Sequence, residues 1–180
     1  MIAFPNKKYN IIYADPPWTY KVWSGKGKEK KSAENHYACM DIEDIKNLPI
    51  QDISDKDCVL FIWVTMPNLI EGIETINSWG FTYKTCAFSW IKKNKKSDSL
   101  FWGLGHWTRA NNEICLLASK GKPKRISKKV HQVVIDRIRE HSRKPDCVRD
   151  RIVTLMGDLP RIELFAREKT EGWDAWGNEI

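Results

Sequence analysis

The apolar run Tyr9–Ala14 stops abruptly at Asp15, Pro16, Pro17 and Trp18. Its composition is that of a strand buried on both faces of a sheet. Neither proline can continue a hydrogen-bonded ladder, because proline fixes φ and has no backbone N–H. Two backbone carbonyls are therefore expected to face outward beside the Asp15 carboxylate. The segment predicts a buried strand whose end forms the floor of a site.

This strand end offers the groups that would bind a nucleobase. Trp18 provides a flat apolar surface about the size of a base. The Asp15 carboxylate and a proline carbonyl are acceptors, and adenine N6 is an amine whose two N–H groups need acceptors. The alternative interpretation is a strand end followed by a Pro-Pro turn and a core tryptophan. These four residues alone are compatible with both.

Strands and helices alternate along the rest of the sequence. Apolar runs predict the strands, and Asp41, Pro67 and Pro145 mark the starts of helices. The predicted strands cover 9–14, 58–65, 81–91, 113–118, 130–135 and 162–166, and the predicted helices follow Asp41, span 67–79 and run from Pro145 to Gly157. No linker, repeat or low-complexity tract divides the sequence. We expect a single α/β domain over residues 1–180 with a mainly parallel sheet.

The 180 residues carry a net charge of +7 and include nine tryptophans. Lysine and arginine are concentrated in four stretches between predicted strands, at 26–31, 92–96, 120–129 and 137–144. Basic loops interleaved with aromatic side chains suit single-stranded nucleic acid or a flipped base. Loops of about residues 19–35 and 92–111 are therefore expected to contact the substrate, with Trp107 and Arg109 as candidates. Target recognition is expected to extend along the span 92–129.

The five cysteines are odd in number, widely separated and without a Cys-x-x-Cys pair. This pattern is typical of reduced thiols in the cytoplasm, and it argues against a zinc site or a disulfide framework. We therefore expect no metal. No apolar stretch reaches the length that spans a membrane, so a membrane is not expected as a partner.

Six further sequence blocks follow the Asp15–Trp18 motif in the order found in a known family. They are 36–40, 61–65, 105–107 with Glu113, 141–146, 161–167 and 173–179. With these blocks the chain resembles the MT-A type family of S-adenosylmethionine-dependent adenine-N6 methyltransferases, and within it the compact bacterial and phage members. The catalytic subunit of the eukaryotic mRNA adenosine methyltransferase is a related member.

The resemblance implies a Rossmann-like methyltransferase fold in which the catalytic motif precedes the cofactor strand. It also implies S-adenosylmethionine as the cofactor, and it assigns roles to the residues that match the family's motifs. The implied catalytic residues are Asp15, Pro16, Pro17 and Trp18; the implied cofactor-binding residues are Asp15, Lys144, Phe165, Arg167, Asn178 and Glu179; and the implied contacts of the target base are Trp18, Tyr37 and Glu113.

The function expected from these features is direct methyl transfer to adenine N6 in nucleic acid, with DNA favoured over RNA. The same chemistry on RNA is one alternative, and a non-catalytic nucleic-acid-binding partner of an active subunit is another. The resemblance places the protein in the cytoplasm of a bacterium or of a phage-infected host. The short chain leaves little surface for reading a long site, which favours a homodimer or a partner subunit.

Overall fold

The computed structural model describes residues 3–19, 40–105, 107–139 and 143–180. Within these ranges the strands are β1 Tyr9–Ala14, β2 Ser54–Val64, β3 Thr82–Lys93, β4 Asn112–Lys120, β5 Val133–Arg137, β6 Arg161–Leu164 and β7 Asp174–Trp176. The helices are α1 Ile42–Lys46, α2 Ile50–Ile53, α3 Leu69–Ser78 and α4 Cys147–Met156, with a 3-10 turn at Met66–Asn68. Tyr37 and nearly all of the predicted loop at 19–35 lie outside the described residues, so the expectations for them stay predictions.

The seven strands of the described chain form one sheet in the order β5-β3-β4-β2-β1-β6-β7. Four of the six neighbouring pairs are parallel, and β4 is antiparallel to both β2 and β3. This confirms the expected mainly parallel α/β architecture. Because β4 is reversed, its amino end lies beside the carboxyl ends of β1, β2, β3 and β6. We call this border of the sheet the carboxyl edge.

Apolar side chains cover both faces of the sheet. On one face Ile12 and Leu60 pack with the buried side chains of α1, α2 and α3, among them Ile45. On the other face Ile11 and Phe61 pack against α4. A strand with helices on both sides needs apolar side chains on both faces, which explains the continuous apolar run at 11–14 in β1. The layered arrangement leaves Asp15 at the carboxyl edge, directly after a strand in which every residue except Asn10 is buried.

Helix boundaries follow the local signals in the sequence. Asp41 caps α1 by accepting the Glu43 N–H at 2.9 Å, as its position predicts. The helix predicted over 67–79 is a 3-10 turn followed by α3, and Gly80 ends it at φ 79°. None of the described helices is long and apolar enough to cross a membrane.

Two short elements, α2 and β7, are absent from the sequence prediction. Each has only three or four residues, too few to show a periodic pattern. β7 exists because its backbone pairs with β6, from Ile162 opposite Asp174 to Leu164 opposite Trp176. Its formation therefore depends on a partner from elsewhere in the chain.

The structure separates two of the basic stretches, and the recognition role expected for the span 92–129 stays a prediction. Residues 92–96 include the last two residues of β3 and lie at the carboxyl edge, whereas 120–129 begin at the last residue of the reversed strand β4, at the far edge. There the Lys122 N–H donates to Asp57 Oδ1 at 2.7 Å, at the beginning of β2. The predicted recognition span 92–129 is thus divided between opposite edges of the sheet, because the direction of β4 separates its two halves.

Candidate active site

Three side chains from distant parts of the sequence meet at the carboxyl edge. Lys144, just ahead of α4, places Nζ 2.8 Å from Asp15 Oδ2 and 3.3 Å from Oε2 of Glu113, at the start of β4. The same ammonium lies 5.7 Å from the ring centroid of Trp63. One lysine therefore bridges two carboxylates that come from different strands.

A second lysine completes this group. Lys92, near the end of β3, forms an ion pair with Glu113 and lies 5.0 Å from the ring centroid of Trp90. We call Asp15, Glu113, Lys92 and Lys144 the ion cluster. Its two positive and two negative charges balance, and its members are 10–26% exposed. Balanced pairing offsets the cost of removing these charges from water.

The ion cluster gives its two carboxylates opposite pKa shifts. Burial raises the pKa of Asp15 above 3.8, and the nearby charge of Lys144 only partly opposes this. Burial by itself would also raise the pKa of Glu113. The nearby charges of Lys144 and Lys92 together outweigh burial and lower this pKa below 4.5. Burial lowers the pKa of Lys144, yet the two carboxylates outweigh burial and raise it, so the ammonium stays charged. Asp15 is the carboxylate that takes up a proton more readily.

Two cavities lie on either side of Asp15 and Lys144. The small cavity, of about 40 Å³, is bordered by Asp15–Trp18, the end of β2 at 63–65, Glu113, Lys144 and Arg167. The large cavity, of about 260 Å³, is bordered by β6, the chain that follows it and the start of α4. Asp15, Lys144 and Arg167 border both. The two cavities therefore meet at these three side chains.

The large cavity is rich in cationic groups beside one fixed ion pair. Arg149 of α4 donates to Glu163 of β6 through Nε at 2.7 Å and Nη2 at 2.8 Å. Burial raises the pKa of Glu163, although Arg149 opposes this. Arg143, Lys144 and Arg167 add positive charge at the border, and Glu168, 2.9 Å from Arg143 Nη2, adds a carboxylate there. The cavity thus combines acceptors on its floor with cations that suit a bound carboxylate.

The backbone turns sharply at the end of β6. Phe165 has a φ of 59°, a conformation that is costly for a bulky residue. The turn is held by β7, because the Ala166 N–H donates to the Trp176 carbonyl at 3.0 Å and the Phe165 ring meets Trp176 edge-on at 5.5 Å. It brings Phe165 and Arg167 to the border of the large cavity.

Four of the six implied cofactor residues border the large cavity, namely Asp15, Lys144, Phe165 and Arg167. Glu179 lies near it, with Oε1 3.7 Å from Arg167 Nε. Asn178 is exposed and does not border the cavity. Side chains that come from distant segments of the sequence are thus adjacent in the structure.

The Trp18 side chain is buried. The indole is 4% exposed and packs in the core, and its N–H donates to the Trp63 carbonyl at 2.8 Å. It borders the small cavity, with its indole largely covered by β2, and its implied contact with the target base stays a prediction. The alternative interpretation, a core tryptophan after a Pro-Pro turn, describes this side chain better.

The two proline carbonyls also have partners. The Pro16 oxygen accepts the Trp18 N–H at 2.8 Å, and the Pro17 oxygen accepts the Met40 N–H at 3.2 Å. Neither carbonyl joins a strand ladder, as predicted, but both accept a hydrogen bond from another part of the backbone. Each carbonyl oxygen has a second lone pair, so one further hydrogen bond remains chemically open to it.

Among the implied substrate contacts, Glu113 borders the small cavity, whereas Trp107 and Arg109 lie on the loop that joins β3 to β4. Trp107 is 93% exposed, and the Arg109 guanidinium lies 6.0 Å from the ring centroid of Trp102. These residues are placed at the same edge as Asp15, but outside the two cavities.

Sequence reasoning missed the roles of Lys92, Trp63 and the Arg149–Glu163 pair. Glu163 did carry a signal, because a charged residue inside a short apolar strand needs a buried partner. Lys92 gave none, since its neighbours 93–96 made it one member of a basic stretch. Only the pairing of β3 with β4, which sets Trp90 opposite Glu113, brings Lys92 to the ion cluster.

A known protein family matches this chain. A family model described as MT-A70 matches residues 9–179, nearly the whole chain. The chain belongs to the MT-A70 family. The resemblance seen in the sequence motifs is therefore confirmed, and the fold agrees with the Rossmann-like methyltransferase architecture that it implied.

Two MT-A70 relatives differ in how much of their length they share with this chain. The type II methyltransferase M.MunI of Mycoplasma sp is 36% identical over 192 residues, covering 98% of this chain and 79% of that protein. The N(6)-adenosine-methyltransferase catalytic subunit METTL3 of Homo sapiens is 29% identical over 177 residues, covering 96% of this chain but only 28% of that protein. The MT-A70 match thus corresponds to most of the first relative and to about a quarter of the second.

Proposed function

We propose that this MT-A70 member is an S-adenosylmethionine-dependent methyltransferase that acts on adenine N6 in DNA. The observation that carries the proposal is the position of Asp15 and Lys144, which border both cavities at the carboxyl edge. A transfer reaction needs two reactants side by side, and ligands of α/β sheets bind at this edge. We assign the large cavity to the cofactor and the small cavity to the target base.

The residues of the large cavity fit the chemical groups of S-adenosylmethionine. Lys144 and Arg143 can hold the carboxylate of its methionine part, and the Arg149–Glu163 pair gives the floor a fixed shape. The Phe165 ring supplies an apolar wall, and Arg167 and Glu179 can bind the ribose hydroxyls. When bound, the cofactor supplies an electrophilic methyl group attached to a sulfonium.

The chain's own residues hold and activate the base. Asp15 accepts one N6–H bond, and the second lone pair of the Pro16 oxygen accepts the other. These bonds would favour a pyramidal nitrogen with a free lone pair. Methyl transfer would break the sulfur–methyl bond, leave the sulfur as a neutral thioether and make N6 cationic, and Asp15, whose pKa is raised by burial, is positioned to take the N6 proton before passing it to water. Lys144 keeps the local charge balanced.

The comparison with relatives supports DNA as the polymer. The identity and the shared length are both greater for the type II methyltransferase than for the METTL3 subunit. The loop at the carboxyl edge also exposes large apolar side chains beside the site, which suits a nucleic acid of either kind. A homodimer or a partner subunit, which would add recognition surface, remains part of the proposal.

The test is transfer of labelled methyl from S-adenosylmethionine to matched DNA and RNA oligonucleotides, each single- and double-stranded, with nucleoside analysis of the product. We expect N6-methyladenine in DNA. N6-methyladenine in RNA alone would replace DNA by RNA in the proposal. Binding of nucleic acid without methylation of any polymer, by a protein that also fails to bind the cofactor, would support a non-catalytic partner instead.

A further inference from the structure

The loop between β3 and β4 forms a narrow projection at the carboxyl edge. We call residues 102–105 and 107–110 the finger. Its base is fixed to β3, because the Lys92 N–H donates to the Asn111 carbonyl at 2.8 Å and the Phe101 N–H donates to the Lys92 carbonyl at 2.8 Å. Lys92 also belongs to the ion cluster, so the finger begins directly beside the small cavity.

Two glycines make the finger narrow. A Cβ on Gly103 would overlap the Ala110 carbonyl oxygen, and a Cβ on Gly105 would overlap the Thr108 carbonyl oxygen. The two sides of the finger therefore lie against each other with no room for a side chain between them. Leu104, between the two glycines, is directed to the outside and is 79% exposed.

Leu104 is one of three large apolar side chains that the finger exposes. Trp102 is 75% exposed and Trp107 93%, although both have ample apolar surface to bury. Residues 99–112 contain no acidic side chain, and Arg109 lies 6.0 Å from the Trp102 ring. A loop that exposes large apolar side chains, carries a cation and has no negative charge is complementary to stacked bases within a polyanionic backbone.

We propose that the finger is a wedge that enters duplex DNA and occupies the space left by the flipped adenine, with Leu104 as the inserted side chain and Trp102 and Trp107 beside it. This inference rests on the proposed function. A paired adenine cannot reach the small cavity without leaving its stack, and an apolar side chain that fills the resulting gap lowers the cost of flipping. Because the finger lies beside the ion cluster, the wedge is next to the small cavity, to which we assign the flipped adenine.

The experiment compares paired and unpaired targets. Wild-type protein first methylates unmethylated plasmid DNA, and sequencing locates the modified adenines. Synthetic DNA containing one such site is then made fully paired, mismatched opposite the target adenine, and single-stranded. We expect Leu104→Ala to lower the initial rate on paired DNA about tenfold or more, and the rates on mismatched and single-stranded DNA by no more than about twofold, since an unpaired base needs little help to flip.

Ile126→Ala is the matched control. Ile126 is 72% exposed, like Leu104, but its N–H donates to the Leu155 carbonyl near the C-terminal end of α4, at the opposite edge of the sheet. We expect its rates to equal those of the wild type on all three substrates. Thermal unfolding of both variants checks that the fold is retained.

Several outcomes would overturn the wedge while leaving the proposed function intact. They are an unchanged rate of Leu104→Ala on paired DNA, an equal loss on paired and unpaired DNA, and wild-type activity confined to single-stranded nucleic acid. An equal loss together with a changed sedimentation coefficient would assign the finger to a protein contact. Absence of methylation by the wild type on every nucleic acid refutes the proposed function, and the wedge with it.

Discussion

The two cavities contain buried charges that are connected in different ways. In the small cavity the Lys144 ammonium is shared between Asp15 and Glu113, at 2.8 and 3.3 Å. In the large cavity Arg149 binds Glu163 through two nearly equal bonds of 2.7 and 2.8 Å, and its third nitrogen, Nη1, donates to Asp146 Oδ1 at 3.1 Å. The first arrangement distributes one positive charge over two acids. The second fixes one pair in a single geometry.

This difference follows from the shapes of the two cations. An ammonium is a compact charge that can change its distance to each partner, whereas a guanidinium binds a carboxylate as a rigid fork. The small cavity can therefore adapt when a proton or a charged reactant arrives, and the large cavity keeps its shape. We infer that the first is organised for chemistry and the second for holding a ligand.

The largest effect is expected from Asp15→Asn, which keeps the size of the side chain but removes its charge. The rate of methyl transfer should fall by about a thousandfold or more, because the neutral amide can neither balance the charge of Lys144 nor accept a proton. Rate measurement with saturating cofactor and thermal unfolding check this. Activity within about tenfold of the wild type would assign the chemistry to another residue.

Lys144→Met removes the cation that both cavities share. We expect the rate to fall about a hundredfold and the KM for S-adenosylmethionine to rise, since both the base and the cofactor lose a neighbouring charge. Lys144→Arg is the control, and it should restore only part of either property because a guanidinium cannot replace a shared ammonium. A change in KM without a change in rate would show that Lys144 acts in cofactor binding and not in the chemistry of the small cavity.

The fixed pair in the large cavity is tested by a double-mutant cycle on stability. Arg149→Met leaves Glu163 buried without its cation and should lower the free energy of unfolding by about 3 kcal/mol. The double variant Arg149→Met/Glu163→Met should be more stable than this single variant, since no unpaired charge is left. Urea unfolding measures both. A double variant that loses the sum of the two single effects would show that the side chains act independently.

The pH dependence of stability should separate the two carboxylates of the ion cluster. Asp15 has a raised pKa in the folded protein, so its contribution falls as pH rises from 3.8 through that pKa. Glu113 has a lowered pKa, so its contribution is full above 4.5 and is lost as pH falls through the folded pKa. The free energy of unfolding should therefore rise more steeply between about pH 3 and pH 6 in Asp15→Asn and less steeply in Glu113→Gln. The reverse order would contradict the charge assignment.

The smallest effect on stability is expected from Glu179→Ala. Its contact with Arg167 is 3.7 Å long, and the two side chains are 56% and 37% exposed. The free energy of unfolding should change by less than about 0.5 kcal/mol. If Glu179 binds the ribose, the KM for S-adenosylmethionine should still rise about threefold. An unchanged KM would remove Glu179 from the proposed cofactor site.

Local sequence signals predicted the elements whose formation depends on residues that are close in the sequence. The strand Tyr9–Ala14 and the cap Asp41 are found where the sequence places them. β7 could not be predicted in this way, because three residues become a strand only when β6 supplies a ladder. The burial of Trp18 was open for a similar reason, since it depends on the carbonyl of Trp63 in another strand.

The sequence by itself determined the alternating α/β pattern and the family motifs, among them a strand that ends in an acid and two prolines. These are properties of short segments, in which apolar spacing, proline and capping residues act over a few positions. Only the tertiary structure decided that Lys144 and Lys92 join Asp15 and Glu113, and that 120–129 lies away from them. The reason is the reversed direction of β4, which depends on its pairing with β2 and β3 and therefore on contacts that no single segment contains.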